Sequence, residues 1–240
     1  MIKIELKIIN RICFILLNII MWNQLSAFVE KVCAGRDHSH GHMHMEKVAQ
    51  NALFIYNHTQ SKLKNDHTWN LTMTVAWCHD INDHKYNDMF TLQMCDFLRH
   101  YYTESEIKLI LNIIDRISYS KENNTMKQNK KLDWLEVLGD TGCFVRDIVS
   151  DADKLEAIGK IGMERCIEYT KHHYFEENHQ EIPYQELVVE VVKHANEKLL
   201  RLKDEFIRTN IGKDMAKPLH DEMITMLADF LSQYSWKERK

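Results

Sequence analysis

Apolar residues recur along most of this chain at intervals of three and four, the spacing that paints one face of an α-helix. Between residues 21 and 33 the stripe is Trp22, Leu25, Phe28, Val29 and Val32, and Gly35 follows as a stop signal. A second stripe, Val48, Ala49, Ala52, Leu53, Ile55 and Tyr56, predicts a helix over about 45–63. Further helices are expected over about 70–81, 87–101 and 104–117, the last opened by the capping-box pair Thr103 and Glu106. Residues 119–131 are polar without periodicity and read as a mobile loop. Helix is expected again over 132–147 and from Asp151 to about 171. Residues 172–184 read as irregular, and two long helices follow over 184–208 and 213–236. No strand-like alternation competes with these stripes, so the fold class is all-α.

Composition strengthens that reading. Seven Gly and two Pro in 240 residues leave little material for hairpins and tight turns. The length suits one domain, expected over 21–240, with residues 1–20 as an apolar extension. That extension carries Lys3, Lys7 and Arg11 and an uncharged run over 12–22 too short for an ordinary spanning helix. It fits a packing helix, a weak membrane-surface contact, or a stretch ahead of a start at Met21. The net charge of −4 lacks the basic footprint of a nucleic-acid binder. Six scattered cysteines form no C-x-x-C pair, which argues against a thiolate zinc site and for a reducing, cytoplasmic compartment. Three N-x-[ST] sequons, at Asn57, Asn70 and Asn123, read as chance matches.

The chemistry concentrates in a few polar residues set among apolar ones. His79 and Asp80 are adjacent on a helical pattern, about 100° apart around its axis, so both can lean toward one ion. His44 opens the second helix with Val48 and Ala52 one and two turns on, which puts it at the buried face. Asp151 and Asp153 are expected at a helix start, ahead of an apolar stripe at Leu155, Ile158, Ile161 and Gly162. Inward imidazoles and carboxylates cost free energy unless partnered, and one divalent ion would satisfy all of them. The mixed N/O donor set suits Mn, Mg, Fe, Co, Ni or Zn. The alternating His38, His40, His42 and His44 read alone as a solvated tract, and only His44 has the helical context of a ligand.

The ordered segments 39–48, 76–86, 114–121 and 149–162 resemble the HD-domain metal-dependent phosphohydrolases, most nearly the small HD nucleotide pyrophosphohydrolases. The resemblance covers about residues 21–236. It implies an all-α fold with one divalent metal, manganese first among the choices, held by His44, His79, Asp80 and Asp153. Asp153 is preferred because the acid directly before Lys-Leu is that family's usual ligand; Asp151 is then a supporting residue or an alternative ligand. Asp83, one turn after His79, would orient or deprotonate the attacking water alongside Asp80. Lys85, Lys121 and Lys154 would contact phosphate. The implied reaction takes a nucleoside triphosphate to monophosphate and pyrophosphate. A 5'-nucleotidase or other phosphomonoesterase is the alternative within the class, and a catalytically silent metal- or nucleotide-binding regulator the alternative outside it. The partner is a small nucleotide, with no nucleic acid and no membrane span; a homodimer is left open. Gly41, His42 and Met43 depart from the acid and aromatics common in that branch.

Overall fold

The computed structural model describes residues 20–36, 41–81 and 89–237. Among them every regular element is helical, and no helix is long and apolar enough to cross a membrane. In chain order the helices are α1 (20–32), α2 (His42–His58), α3 (Asp66–Cys78), α4 (Met89–Leu98), α5 (Glu104–Asp115), α6 (Tyr119–Lys127), α7 (Trp134–Leu155), α8 (Gly159–Asn178), α9 (Tyr184–Glu197) and α10 (Asn210–Lys237). A short 3-10 turn, Leu199–Arg201, and a π turn, Leu202–Phe206, lie between α9 and α10. The contacts group the chain into two compact units. The first holds residues up to Leu53 and Gln60–Val149; the second holds Phe54–Thr59 and Ser150 onward.

In the first unit α3 is the central rod. Every residue from Leu71 to Cys78 is buried, Thr72 and Thr74 included, so this part of the helix is buried all round rather than striped. Its start is fixed by a reciprocal capping box between Asn65 and Thr68. It packs on α5, whose inner face is Ile107, Ile110, Ile113 and Ile114. Thr103 and Glu106 form the expected capping box of α5. Gly35, at φ +81°, ends α1 in the left-handed conformation that glycine adopts without strain.

Of residues 119–131, expected as a loop, only 128–131 lie outside a helix. Tyr119–Lys127 form α6, capped by Ser118, with Glu122 and Asn123 buried. The segment lacks an apolar stripe because its anchor is ionic: Arg146 of α7, fully buried, donates from Nη2 to Glu122 Oε2 at 2.6 Å. Arg146 also donates from Nε to the Arg116 carbonyl at 2.9 Å and from Nη1 to Asp147 Oδ1 at 3.0 Å. Its guanidinium carbon lies 3.6 Å from the centre of the Trp134 ring. Helix α7 runs unbroken through Asp147–Asp151, where a gap was expected. Its one departure from helical torsions is Gly139, at φ 61° and ψ −178°.

In the second unit α10 packs along α8 and α9. Gly159 opens α8 at φ +77°, where a Cβ would come within 3.1 Å of Glu222 Oε2. That same oxygen accepts the Lys160 N–H at 2.9 Å, placing a carboxylate at the positive end of α8. Helix α8 continues to Asn178 through residues expected to be irregular. His172–Glu176 and His173–Glu177 pairs at i,i+4 line its exposed side. The expected apolar stripe after Asp153 is only partly inward: Leu155 and Ile158 are buried, whereas Ile161 is exposed. The helix is interrupted between α7 and α8 by a turn at 156–158, which resets the helical phase.

Candidate metal centre

Three of the expected ligands meet in the first unit. His44 lies in the first turn of α2, and His79 is the C-cap of α3 with Asp80 next in the turn. Both imidazoles are buried, while the Asp80 side chain keeps 27% of its surface open. His79 Nε2 stands 3.3 Å from His44 Nε2 and 3.7 Å from Asp80 Oδ2, and His44 Nε2 stands 3.6 Å from that oxygen. A point about 2.0 Å from all three atoms exists inside this triangle, which is the bond length of a divalent ion to nitrogen and carboxylate oxygen. The pair was expected within a helix; it sits just past the helix end, where the chain turns and both side chains reach the same point.

The tautomer of His79 is set by its surroundings. Nδ1 lies 2.8 Å from the Ala76 carbonyl oxygen, which can only accept, so Nδ1 carries the proton. Nε2 therefore presents a lone pair toward the triangle, as in metal-bound histidines whose second nitrogen is held by a carbonyl. The donor set, the separations and the tautomer all fit a divalent cation.

The turn itself is clamped by a residue that periodicity does not single out. Arg36 Nη1 donates to the Asp80 carbonyl and Nη2 to the Ile81 carbonyl, each at 2.9 Å. An arginine just past a helix and before a His-rich stretch reads as a surface charge, so only the three-dimensional contact reveals it.

The other expected residues are placed as follows. Asp153 is half-buried, in the second unit, in the last turns of α7 rather than at a helix start. Asp151, one step earlier, is fully buried. Its Oδ1 accepts the Arg208 N–H at 2.8 Å, and its Oδ2 accepts the Thr209 N–H and hydroxyl at 2.7 Å. Burial pushes its carboxyl up to about 6, against the lowering effect of those donors and of Lys154. Gly212 makes room for this carboxylate, since a Cβ there would lie 2.6 Å from Oδ2. Lys154 is buried, with its ammonium on the Ser150 hydroxyl, and Lys121 is exposed and paired with Asp115. Asp83 and Lys85 lie outside the described residues. His42 is not part of the triangle; its Nε2 meets the Ser26 hydroxyl at 2.9 Å. Cys33, Cys78 and Cys166 are free and buried.

This is an all-α fold carrying two histidines and one carboxylate at metal-binding distance between helices. No family model matches the sequence, and no curated protein matches it. Solved structures do. A protein from Lactobacillus plantarum matches at a TM-score of 0.64 and 22% identity, over 90% of this chain and 97% of that one. Bacillus subtilis YpgQ in complex with ADP matches at 0.59 and 20%, over 90% and 95%. An HD-superfamily hydrolase from Bacillus thuringiensis matches at 0.59 and 21%, over 89% and 96%. The chain therefore shares the fold of these structures, one of them an HD-superfamily hydrolase, over 89 to 90% of its own length.

Proposed function

We propose that this protein is a divalent-metal phosphohydrolase of small nucleotides, taking a nucleoside triphosphate to monophosphate and pyrophosphate. The observation that carries the reading is the triangle of His44, His79 and Asp80 on a fold shared with an HD-superfamily hydrolase. That a solved structure of the same fold holds ADP favours a nucleotide.

His44 and His79 supply two nitrogen donors from dry surroundings, and Asp80 supplies a charged oxygen from the solvent side. Asp153 is the proposed fourth ligand, by its position directly before Lys154-Leu155. His44, His79, Asp80 and Asp153 would hold a divalent ion, which when bound would supply Lewis acidity and lower the pKa of a water toward neutrality. Because Asp80 is part-exposed and the imidazoles are not, a phosphate approaches from the Asp80 side. Asp83 is the proposed proton acceptor, and Lys85, Lys121 and Lys154 the proposed phosphate contacts, since cations offset charge at the transferring phosphorus. Manganese is the proposed ion and the cytoplasm the proposed compartment.

The test is a product assay. Metal-stripped protein is reloaded with Mn, Mg, Co, Ni or Zn and given ribo- and deoxyribonucleoside mono- and triphosphates, with phosphate and pyrophosphate measured separately. Metal-dependent pyrophosphate release is expected, lost in Asp80→Ala, because the ion that would activate the water is no longer held. Lys121→Ala and Lys154→Ala should slow triphosphate turnover. Phosphate from monophosphates alone would make the protein a nucleotidase. Stoichiometric metal and tight nucleotide binding without product would make it a silent regulator.

A further inference from the structure

The ligand turn after α3 is held by one side chain that belongs to neither histidine's helix. Helix ends leave their last carbonyls without intrahelical partners, and here α3 stops at Cys78, followed by a turn in which the Ile81 N–H donates to the Cys78 carbonyl at 3.1 Å. The next two carbonyls, of Asp80 and Ile81, both receive Arg36. The guanidinium is a planar fork with donors in fixed directions. Two successive carbonyls aimed at one fork fix two successive peptide planes, and with them the direction in which the Asp80 side chain leaves the backbone.

The fork is itself located. Its backbone N–H returns to the Cys33 carbonyl at 3.1 Å, directly after the left-handed turn at Gly35. Its guanidinium carbon lies 5.4 Å from the centre of the Phe90 ring on α4, within cation–π range. Arg36 thus ties the exit of α1 and the start of α4 to the turn that carries Asp80. The site tolerates little error, because Asp80 Oδ2 is one corner of a triangle with edges of 3.3 to 3.7 Å and a productive constellation must hold to about 0.5 Å.

We propose that Arg36 is a positioning residue for the metal site: it sets the Asp80 carboxylate against the two imidazoles by clamping the carbonyls of Asp80 and Ile81. The proposal rests on the reading of His44, His79 and Asp80 as metal ligands. Arg36→Met keeps most of the stem and removes the fork; Arg36→Lys keeps the charge but reaches one carbonyl at a time.

The experiment uses the full chain, stripped of metal and titrated with Co(II), reading both the dissociation constant and the visible absorption of the bound ion. Thermal unfolding of the stripped proteins runs alongside. Arg36→Met should bind Co(II) about 10- to 100-fold more weakly with an altered visible band, and Arg36→Lys should fall between it and wild type. Folded Arg36→Met with wild-type affinity and band would overturn the proposal. Should Arg36→Met not fold, Arg36→Lys decides by the same two readings, and a wild-type result there overturns it equally. A wild-type chain that takes up no stoichiometric Co(II), or an Asp80→Ala that binds it as tightly, would instead sink the metal reading underneath.

Discussion

Asp80 and Asp151 both stand among apolar residues, yet their surroundings differ in kind. Asp80 faces two imidazoles, one of which has its proton turned away onto Ala76, and it keeps a quarter of its side chain toward solvent. The His79 lone pair and the Asp80 carboxylate face a point, shared with His44 Nε2, where an ion fits. Asp151, in the second unit, is wrapped by protons: two backbone N–H groups and a hydroxyl reach its two oxygens. The buried Arg146–Glu122 pair resembles Asp151 in this respect, since guanidinium and carboxylate complete each other. A cluster of acceptors is arranged for a guest, whereas a cluster that mixes donors with acceptors holds the chain together. The same residue types serve both ends, and the protons around them tell which.

That contrast is sharpest where removal should hurt most. Arg146→Met leaves Glu122 buried without its cation, and breaking such a pair costs about 3–5 kcal/mol. Urea unfolding should show that loss, while Co(II) affinity of the folded fraction stays at the wild-type value. A matching loss of metal binding would mean that the two networks are not separate.

Asp151→Asn should cost less, about 1–3 kcal/mol, because one carboxylate oxygen gives way to a group that cannot accept the Thr209 or Arg208 protons. Its pH dependence has a definite sign. The folded carboxyl is raised to about 6, above the ordinary 3.9 of the unfolded chain. Between those values the folded state holds more protons, so this group's contribution to stability falls as pH rises from about 4 to 6 and is level above. Unfolding free energies taken at pH 4, 5, 6 and 7 should show that decline in wild type minus Asp151→Asn, and a flat difference would contradict it. If Asp151→Asn also lost stoichiometric metal, Asp151 would belong among the ligands.

The smallest effect on stability is expected at Asp80 itself. Asp80→Ala should leave the metal-free protein within about 1 kcal/mol of wild type, since residues arranged for function are seldom arranged for stability. Thermal unfolding without metal measures this. A drop as large as that of Arg146→Met would turn Asp80 into a structural acid and undo the comparison.

Much of this was legible in the sequence. The helical stripes and the scarcity of Gly and Pro gave the all-α class, and the spacing of Val48 and Ala52 put His44 at a buried helix start. His79 and Asp80 were found by their chemistry. What escaped was held by long-range polar contacts. Helix α6 has no apolar stripe to announce it, because Glu122 is anchored by Arg146 from 24 residues away. The continuity of α7 through Asp147–Asp151 was hidden by a run of acids that usually marks a helix start. Arg36 was invisible for the same reason: its meaning lies in two carbonyls 44 and 45 residues further on.

The bond from His79 Nδ1 to the Ala76 oxygen has a consequence for how such a site persists through descent. The partner is main chain, three residues back in the same helix. Replacing Ala76 by another helix-forming residue leaves that oxygen in place, so a side-chain change at position 76 does not delete the acceptor while α3 remains a helix. The orientation of this imidazole travels with the helix rather than with any neighbouring letter of the sequence, which lets the surroundings drift widely without moving it.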